Sequence, residues 1–327
     1  MACRRLSVLL ILTYGVGFNM LASYNLQSTF KSYSFYDTSF TPWVIGGVIA
    51  VLVAVCLFGG GKRILAVTSV LVPVMGLLYI LVALVISLIN IASLPAIFAR
   101  IFREAFDFSA IFGGFGGSCV MYGVKRGLFS NEAGVGSAPN AAASADVSHP
   151  AKQGLTQTLS VFIDTLLVCS ATAFMCMTSG IDPSPAFEGA DYVQAALSVT
   201  LGDFGPVFIT VSMVLFAFTT LVGNLYYVNQ AWSHLFGHAP SRLFNTVYYV
   251  VASLLVFLGA GLSAAFLWNL ADLLMGLMTV INIPVIILLG RYALRALADY
   301  RKQKKEGLDP HFRKESAGIK AELDYWS

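Results

Sequence analysis

The chain has 327 residues, of which 57% are hydrophobic and 11% are charged, and its mean hydropathy is +0.76. A soluble domain usually carries about twice that charged fraction, and so apolar a chain could not cover its surface with polar groups. These values exclude an ordinary soluble protein and indicate that most of the chain lies in a lipid bilayer. The net charge of +3 is small and gives no indication of nucleic-acid binding.

Neither the cysteines nor any short motif points to an enzyme. All five cysteines lie in or beside apolar stretches, without a C-x-x-C pair and without histidines at metal-ligand spacing. We interpret them as small apolar side chains. The sequence contains no H-E-x-x-H, G-x-S-x-G, P-loop or C-x-x-C-H motif. We therefore predict neither catalytic residues nor a cofactor.

Apolar runs of about 20 residues, the length that crosses a bilayer, occur about eight times and predict an all-α, polytopic membrane protein. The predicted transmembrane helices are Leu6–Phe30, Thr41–Phe58, Ile64–Ile91, Ser109–Leu128, Gly154–Thr178, Pro206–Ala231, Leu243–Gly261 and Ala265–Leu289. The short amphipathic segment 95–106 predicts an interfacial helix. The N-terminus has no A-x-A-like cleavage site, so we interpret its apolar run as the first transmembrane helix.

The distribution of charges predicts the orientation of these helices. With the N-terminus in the cytoplasm, most cations between the spans fall on the cytoplasmic side, including Lys125 and Arg126, as the positive-inside rule requires. We predict a multi-pass protein of the cytoplasmic (inner) membrane with both termini in the cytoplasm. Residues 1–290 form one transmembrane domain, and residues 291–327 form a cytoplasmic tail.

The stretch 111–118 contains four glycines, which cost a helix roughly 1 kcal/mol each relative to alanine. They are consistent with close helix packing or with an unwound segment whose backbone faces a substrate or an ion. If Lys125 lies near the cytoplasmic headgroups, Gly117 lies about 12 Å deeper at 1.5 Å per residue. That depth is near the midplane and favours 113–117 as the position of a helix break.

A second irregular stretch, 127–139, contains three consecutive polar residues, Ser130, Asn131 and Glu132, followed by two glycines and a proline. It is consistent with an ordinary cytoplasmic loop or with a re-entrant or gate element, and composition does not decide between them. Ser130–Gly134 is the alternative position for the helix break, because it carries the more specific residues.

A third polar stretch lies within the sixth predicted span. Thr219 and Thr220 are adjacent hydroxyls, and Asn224 lies one turn beyond Thr220 on the same helix face. Threonine in a transmembrane helix often bonds back to its own backbone, which competes with a functional interpretation. Asn224 needs a partner more urgently, because an unpaired amide in hydrocarbon is costly.

The stretch 123–139, G-V-K-R-G-L-F-S-N-E-A-G-V-G-S-A-P, closely resembles the alanine/glycine:cation symporter family, the sodium:alanine symporters. Further similar stretches begin at His149 (H-P-A-K-Q-G-L), Trp268 (W-N-L-A-D-L-L-M) and Gly307 (G-L-D-P). The resemblance implies a leucine-transporter-like fold of two inverted five-helix repeats, with substrate and sodium bound at the midplane between broken helices.

In that fold the fourth run corresponds to the sixth helix, and the Thr219–Thr220 helix corresponds to the eighth. The first helix of this chain then corresponds to the third, so the resemblance implies a partial bundle. The transporter domain, residues 1–290, is then N-terminally incomplete and lacks the family's first broken helix. The alternative to a complete carrier is an inactive or split half-carrier that needs a separately encoded N-terminal partner fragment.

The resemblance implies sodium-coupled symport of alanine or another small neutral amino acid, in contact with membrane lipid, and no metal other than Na⁺. Cation-binding residues would be Thr219 and Thr220, and Glu132 and Gly134 would be gate or structural residues. The implied substrate-binding residues are Asn19, Ala22, Gly113, Gly114, Gly116, Ser130, Asn131 and Asn224.

Two substrate positions depart from the family pattern. Ala22 stands where family members usually carry glutamine, and Asn224 stands where they usually carry tryptophan. The first change removes an amide group. The second leaves a larger space in the site and adds an amide group. We therefore hypothesise a preferred substrate that is somewhat larger or more polar than alanine.

Overall fold

The structure is a computed structural model and describes residues 2–59, 61–106, 115–182, 189–320 and 323. Within these ranges all regular secondary structure is helical. The first helix, α1, consists of Ala2–Leu12, a π-helical segment Thr13–Gly17 and Phe18–Ser28. The other helices are α2 (Thr41–Phe58), α3 (Gly61–Ile89), α4 (Leu94–Ala105), α5 (Phe115–Asn131), α6 (Ser137–Ala142), α7 (Pro150–Phe162, π-helical Ile163–Cys169 and Ser170–Met177), α8 (Ala190–Leu201), α9 (Phe204–Phe236), α10 (Arg242–Ala260) and α11 (Ala264–Lys305).

Seven helices of the described ranges are long and apolar enough to cross a membrane, namely α1, α2, α3, α7, α9, α10 and α11. They correspond to seven of the predicted spans, and α2 matches its predicted bounds at both ends. The remaining predicted span, Ser109–Leu128, lies partly outside the described residues, and its described part belongs to α5. The prediction of an all-α polytopic membrane protein is confirmed.

The last helix, α11, continues without interruption from Ala264 to Lys305. The predicted boundary between membrane domain and tail, at 290/291, therefore falls inside a helix, and the division itself stays a prediction. Beyond Lys305 the tail folds back on α11. Phe312 and Ala317 pack there on Ala296, with Ile319 at the edge of this small cluster.

Helix α1 lies at the centre of the bundle, and its buried residues pack on α9, α10 and α11. Gly259 allows α10 to approach α1 closely, because a Cβ there would lie 2.4 Å from the Met20 Cα atom. Many valines and leucines on the outer faces of α2, α3 and α11 are exposed. Such surfaces suit contact with lipid.

The segment from α5 to α6 runs beside α11 in the same direction. Arg126 donates a hydrogen bond to Asp272 near the start of α11, and the Gly134 carbonyl accepts one from Asn282 further along it. The interrupted segment therefore passes through the bundle toward the end of α11 that carries the tail.

This path bears on the predicted position of Lys125 and Arg126. The positive-inside rule places both at the cytoplasmic end, whereas Asp272, which both contact, lies in the first turns of α11. Asp272 is about 36 Å from Ala296 of the tail cluster, measured along the helix at 1.5 Å per residue. A cytoplasmic position of these two cations and a cytoplasmic tail at the other end of α11 therefore do not agree, because the rule counts cations without regard to a carboxylate on a distant helix. The orientation itself stays a prediction.

The helix break also lies at a different position from the one that the depth argument favoured. Helix α5 is continuous through Gly116 and Gly117, and the chain leaves helical geometry only after Asn131. The interpretation of 113–117 as the break is therefore wrong for these two residues, while Gly113 and Gly114 lie outside the described residues. The alternative stretch, Ser130–Gly134, overlaps the interruption.

Candidate functional site

The break between α5 and α6 depends on three residues in left-handed backbone conformations. Glu132 has φ +52°, Gly134 has φ +87° and Gly136 has φ +110°. A residue with a side chain pays about 1–3 kcal/mol for such a conformation, whereas glycine adopts it freely. Within the described ranges Glu132 is the only non-glycine residue with a positive φ. The strain is therefore concentrated at the polar residue of the break.

Side chains from neighbouring helices satisfy backbone groups around the break. Asn282 of α11 donates through Nδ2 to the Gly134 carbonyl at 2.9 Å, and Gln157 of α7 donates to the Ala138 carbonyl at 2.9 Å. An interrupted helix inside a membrane bundle is tolerated only where protein or a water-filled cavity receives its freed polar groups. Two helices thus hold the break in place from different sides.

Glu132 connects the two halves of the interrupted helix. Its Oε2 atom accepts a hydrogen bond from the hydroxyl of Ser137, the first residue of α6. The hydroxyl of Tyr14, on the π-helical segment of α1, lies beside both side chains. Tyr14 is fully buried, and its ring packs edge-on against Tyr227 of α9. This arrangement places Glu132 and Gly134 in the break, in keeping with a gate or structural role, which stays a prediction.

Ser130 and Asn131 point toward α7. The Ser130 hydroxyl donates to Asp164 Oδ2 at 2.7 Å, and Asn131 Nδ2 donates to Thr165 Oγ1 at 3.1 Å. Both acceptors lie in the π-helical segment Ile163–Cys169. Such segments occur frequently at functional sites, because the extra residue leaves backbone and side chains off the regular helical pattern. The structure therefore brings two predicted substrate residues to α7, where they hold the last turn of α5.

Asn19 and Asn224 form a buried amide pair between α1 and α9. Asn224 Nδ2 donates to Asn19 Oδ1 at 3.0 Å, and the two side chains are 5% and 0% exposed. The pair gives Asn224 the partner that its position in an apolar helix requires. It also fixes the register of the two helices that carry most of the nearby cavity.

Thr219 and Thr220 face different surroundings. The buried Thr219 hydroxyl donates to the Leu215 carbonyl of its own helix at 2.9 Å and lies 4.0 Å from the Met75 sulfur on α3. Thr220 is exposed and lines a cavity. Successive residues of a helix point about 100° apart, and of these two threonines only Thr220 lines the cavity. Binding of a cation by both stays a prediction.

A cavity of about 180 Å³ lies between α1, α5 and α9. Its volume is several times the roughly 30 Å³ that a water molecule occupies in the liquid. It is lined by Phe18, Leu21, Ala22, Asn25, Phe129, Met213, Phe216, Ala217 and Thr220. Among the described lining residues no side chain is charged, and Asn25 and Thr220 alone offer polar side-chain groups. The cavity suits a small, electrically neutral side chain.

The structure groups the predicted site residues at three places. Ala22 and Thr220 line the cavity, Asn19 and Asn224 pair beside it, and the Ser130–Gly134 stretch forms the break and its approach. Gly116 lies within α5, and Gly113 and Gly114 lie outside the described residues. Sequence reasoning missed the aromatic lining, Phe18, Phe129 and Phe216, because nothing in the sequence distinguishes a cavity-lining phenylalanine from a lipid-facing one.

Comparison with known proteins gives the affiliation of the chain. The model of the sodium:alanine symporter family matches residues 2–314. The chain is 40% identical over 315 residues to the amino-acid carrier protein AlsT of Bacillus subtilis, covering 96% of this chain and 66% of that protein. It is 38% identical to the probable sodium/glutamine symporter GlnT of Bacillus subtilis, covering 94% and 63%.

A third relative comes from another organism. The chain is 37% identical to the sodium/alanine symporter AgcS of Methanococcus maripaludis, covering 85% of this chain and 60% of that protein. The chain spans about two thirds of the length of the curated relatives it matches. The resemblance carried by residues 123–139 is confirmed: this multi-pass membrane protein belongs to the sodium:alanine symporter family.

Proposed function

We propose that the chain acts in sodium-coupled symport of alanine or another small neutral amino acid across the cytoplasmic membrane. The observation that supports this function best is the interruption of the α5–α6 segment inside the bundle, next to an uncharged cavity. Broken helices at membrane depth are typical of the substrate and ion sites of secondary transporters. Relatives named as sodium/alanine and sodium/glutamine symporters support the same function.

The position of Phe129 indicates how the break and the cavity are coupled. Phe129 lines the cavity and lies in the last turn of α5, three residues before Glu132. A movement of α5 about the break therefore changes the shape of the cavity. A carrier needs such a coupling, because the site must open to one side of the membrane at a time.

Thr220 is the hydroxyl that we propose as a contact for the cation. It offers its oxygen to the cavity, whereas the Thr219 hydroxyl is occupied by its own helix. Hard cations prefer oxygen ligands. We expect Thr220→Ala to raise the sodium concentration needed for half-maximal uptake more than Thr219→Ala does, because only Thr220 faces the cavity.

We also propose a substrate somewhat larger or more polar than alanine. Ala22 leaves room on the α1 side of the cavity, and Asn25 offers an amide there. The orientation with both termini in the cytoplasm remains part of the proposal. Modification of single cysteines in the loops, from each side of the membrane, tests that orientation.

Uptake of radiolabelled alanine into proteoliposomes tests the function. We expect uptake to follow an inward sodium gradient and to fall to background when choline replaces sodium. Uptake that persists unchanged in choline contradicts sodium coupling. In a competition panel, alanine as the best competitor contradicts the proposed preference. Activity seen only on co-expression with an N-terminal segment supports the split half-carrier instead.

A further inference from the structure

A charged cluster lies next to the cavity, and the proposed function gives it no role. Arg126 Nη2 donates to Asp272 Oδ2 at 2.7 Å, and Lys125 Nζ lies 2.6 Å from the same oxygen. The Asp272 side chain is 12% exposed, and both cations are 36% exposed. Ionisable side chains within a membrane bundle are costly and usually functional, so this cluster requires an explanation.

Arg126 contacts two neighbouring aromatic rings as well as Asp272. Its guanidinium carbon lies 4.4 Å from the centre of the Trp268 ring and 5.4 Å from that of Phe129. The two rings are themselves 5.1 Å apart. A planar guanidinium stacks on aromatic faces and binds a carboxylate at the same time, which an ammonium group does not do equally well. A shift of Arg126 would change its contacts with both rings.

Phe129 connects Arg126 with the cavity. The Phe129 ring lines the cavity and packs against Phe18 of the opposite wall, with ring centres 4.9 Å apart. From Phe18 the ring contacts continue to Tyr14 at 5.0 Å, and the Tyr14 hydroxyl lies beside Glu132 of the break. One row of rings thus connects the charged cluster, the cavity and the break.

Lys125 provides an internal comparison. It binds the same carboxylate oxygen as Arg126, but its ring neighbour is Tyr122, at 5.8 Å, and Tyr122 is exposed and absent from the cavity wall. Lys125 therefore shares the charge of the cluster without sharing its contact with Phe129.

We propose that Arg126, held by Asp272, is a positioning residue that sets the Phe129 ring in the cavity wall and thereby determines which neutral side chains the cavity accepts. This inference rests on the proposed function and extends it to substrate selection. Lys125 neutralises Asp272 without selecting the substrate. The cluster acts through ring geometry rather than through charge alone.

The first test compares Arg126→Lys, Arg126→Gln and Lys125→Gln in the full chain, reconstituted in proteoliposomes. The measured quantity is the ratio of the KM values for alanine and glutamine. We expect both Arg126 variants to change that ratio by about tenfold, as small changes in the fit of a pocket do. Lys125→Gln should leave the ratio within about twofold, because its ring contact lies elsewhere.

A structural or purely electrostatic role predicts a different pattern. In that case Arg126→Lys, which keeps the charge, retains the wild-type ratio, or Lys125→Gln changes it as much as Arg126→Gln does. Either result overturns the proposal. A monodisperse profile in size-exclusion chromatography excludes misfolding, and Asp272 keeps one cation in every variant.

A second measurement does not depend on transport. Ala22→Cys, in a background without the native cysteines, places a thiol in the cavity wall, and its rate of modification by a small thiol reagent reports access past Phe129. We expect Arg126→Lys and Arg126→Gln to change this rate several-fold and Lys125→Gln to leave it unchanged. Equal rates in all variants overturn the proposal. If the wild-type chain shows no sodium-driven uptake but the variants show the expected labelling pattern, the proposed function is contradicted. The positioning role of Arg126 then still stands.

Discussion

The helix break at 132–136 and the contact between loop and tail at 148–152 are both rich in polar groups, but their surroundings differ. At the break, neutral amides such as Asn282 and Gln157 bond to backbone carbonyls inside the bundle. These bonds are part-buried, so water replaces a lost partner there less readily than at the surface. The loss of any one of these bonds is therefore expected to lower the stability of the fold.

The tail contact, which we call the tail clasp, joins Ser148–Lys152 to Asp309–Phe312. Lys152 Nζ lies 2.9 Å from Asp309 Oδ1, and the Phe312 amide donates to the Ser148 carbonyl at 2.9 Å. His149 is fully buried between the rings of Tyr300 and Phe312, each 5.2 Å away. The two stretches that begin at His149 and Gly307, which resemble the family separately, form one contact.

The comparison indicates where each region obtains its stability. The charged pair of the clasp is exposed, at 32% and 67% of the two side chains, so water and salt weaken it. Its buried aromatic contacts contribute more than its charges. The break has the opposite composition, since its polar bonds are part-buried and water competes for them less than for the exposed ion pair of the clasp.

The largest effect is expected for Gly136→Ala. A Cβ atom there would lie 3.1 Å from the Asn282 Cγ atom, in a backbone with φ +110°, so both crowding and strain oppose it. We expect a loss of about 1–3 kcal/mol of stability, seen as a lower melting temperature in detergent. The matched control is Gly276→Ala in α11, where nothing lies within 4 Å of the new atom. An equal loss in both variants contradicts the prediction.

Separation of the Asn19–Asn224 pair should have the next largest effect. Either single alanine substitution leaves a buried amide without its partner, at a cost of about 1–3 kcal/mol. The double substitution removes both amides and should cost less than the sum of the two single changes. A double-mutant cycle in thermal unfolding measures this coupling, and strict additivity would show that the pair contributes nothing as a pair.

A smaller, pH-dependent effect is expected in the tail clasp. Burial lowers the pKa of His149 from its ordinary value of 6.5, and the ring accepts the Ala151 amide through Nδ1. The neighbouring charges are Asp299 on α11 and Lys152 on α7, and Asp299 opposes the shift. A depressed histidine pKa means that the unfolded state binds more protons, so stability falls as pH decreases below about 6.5.

The Lys152 ammonium group holds the pKa of Asp309 below its ordinary value. Protonation of Asp309 at still lower pH therefore also weakens the clasp. Limited proteolysis of the tail between pH 7.5 and 5 measures the His149 effect, since the Asp309 effect falls below that range, under the ordinary carboxyl pKa of 3.8. His149→Asn can still cap α7 but does not titrate, so it should abolish the change near pH 6. Unaltered pH dependence in that variant contradicts the role of His149.

The smallest effect is expected for Lys152→Gln. The variant loses one exposed ion pair, so its melting temperature should stay close to that of the wild type. Tail proteolysis should become faster at low salt and should match the wild type at high salt, because screening removes the same interaction. A large loss of stability would show that the clasp depends on its charges more than on its aromatic contacts.

Much of the architecture was predictable because it depends on local sequence. The length of an apolar run needed to cross a bilayer is fixed, so Thr41–Phe58 was located at both ends. The stretch 123–139 carried enough unusual residues, in a specific order, to indicate the family. The depth argument favoured 113–117 for the break over the alternative Ser130–Gly134, whereas Gly116 and Gly117 are helical and the carbonyls of Gly134 and Ala138 accept hydrogen bonds from distant helices.

The sequence by itself determined that this is a multi-pass helical membrane protein of the sodium:alanine symporter family, since hydropathy and a compact motif are properties of neighbouring residues. Only the tertiary structure decided that Phe129 lines the cavity, that Thr220 and not Thr219 lines it, and that Arg126 reaches Asp272. Those features depend on contacts between residues far apart in the chain, such as Asn19 with Asn224. Helix packing brings such residues together, and no local pattern records which pairs will meet.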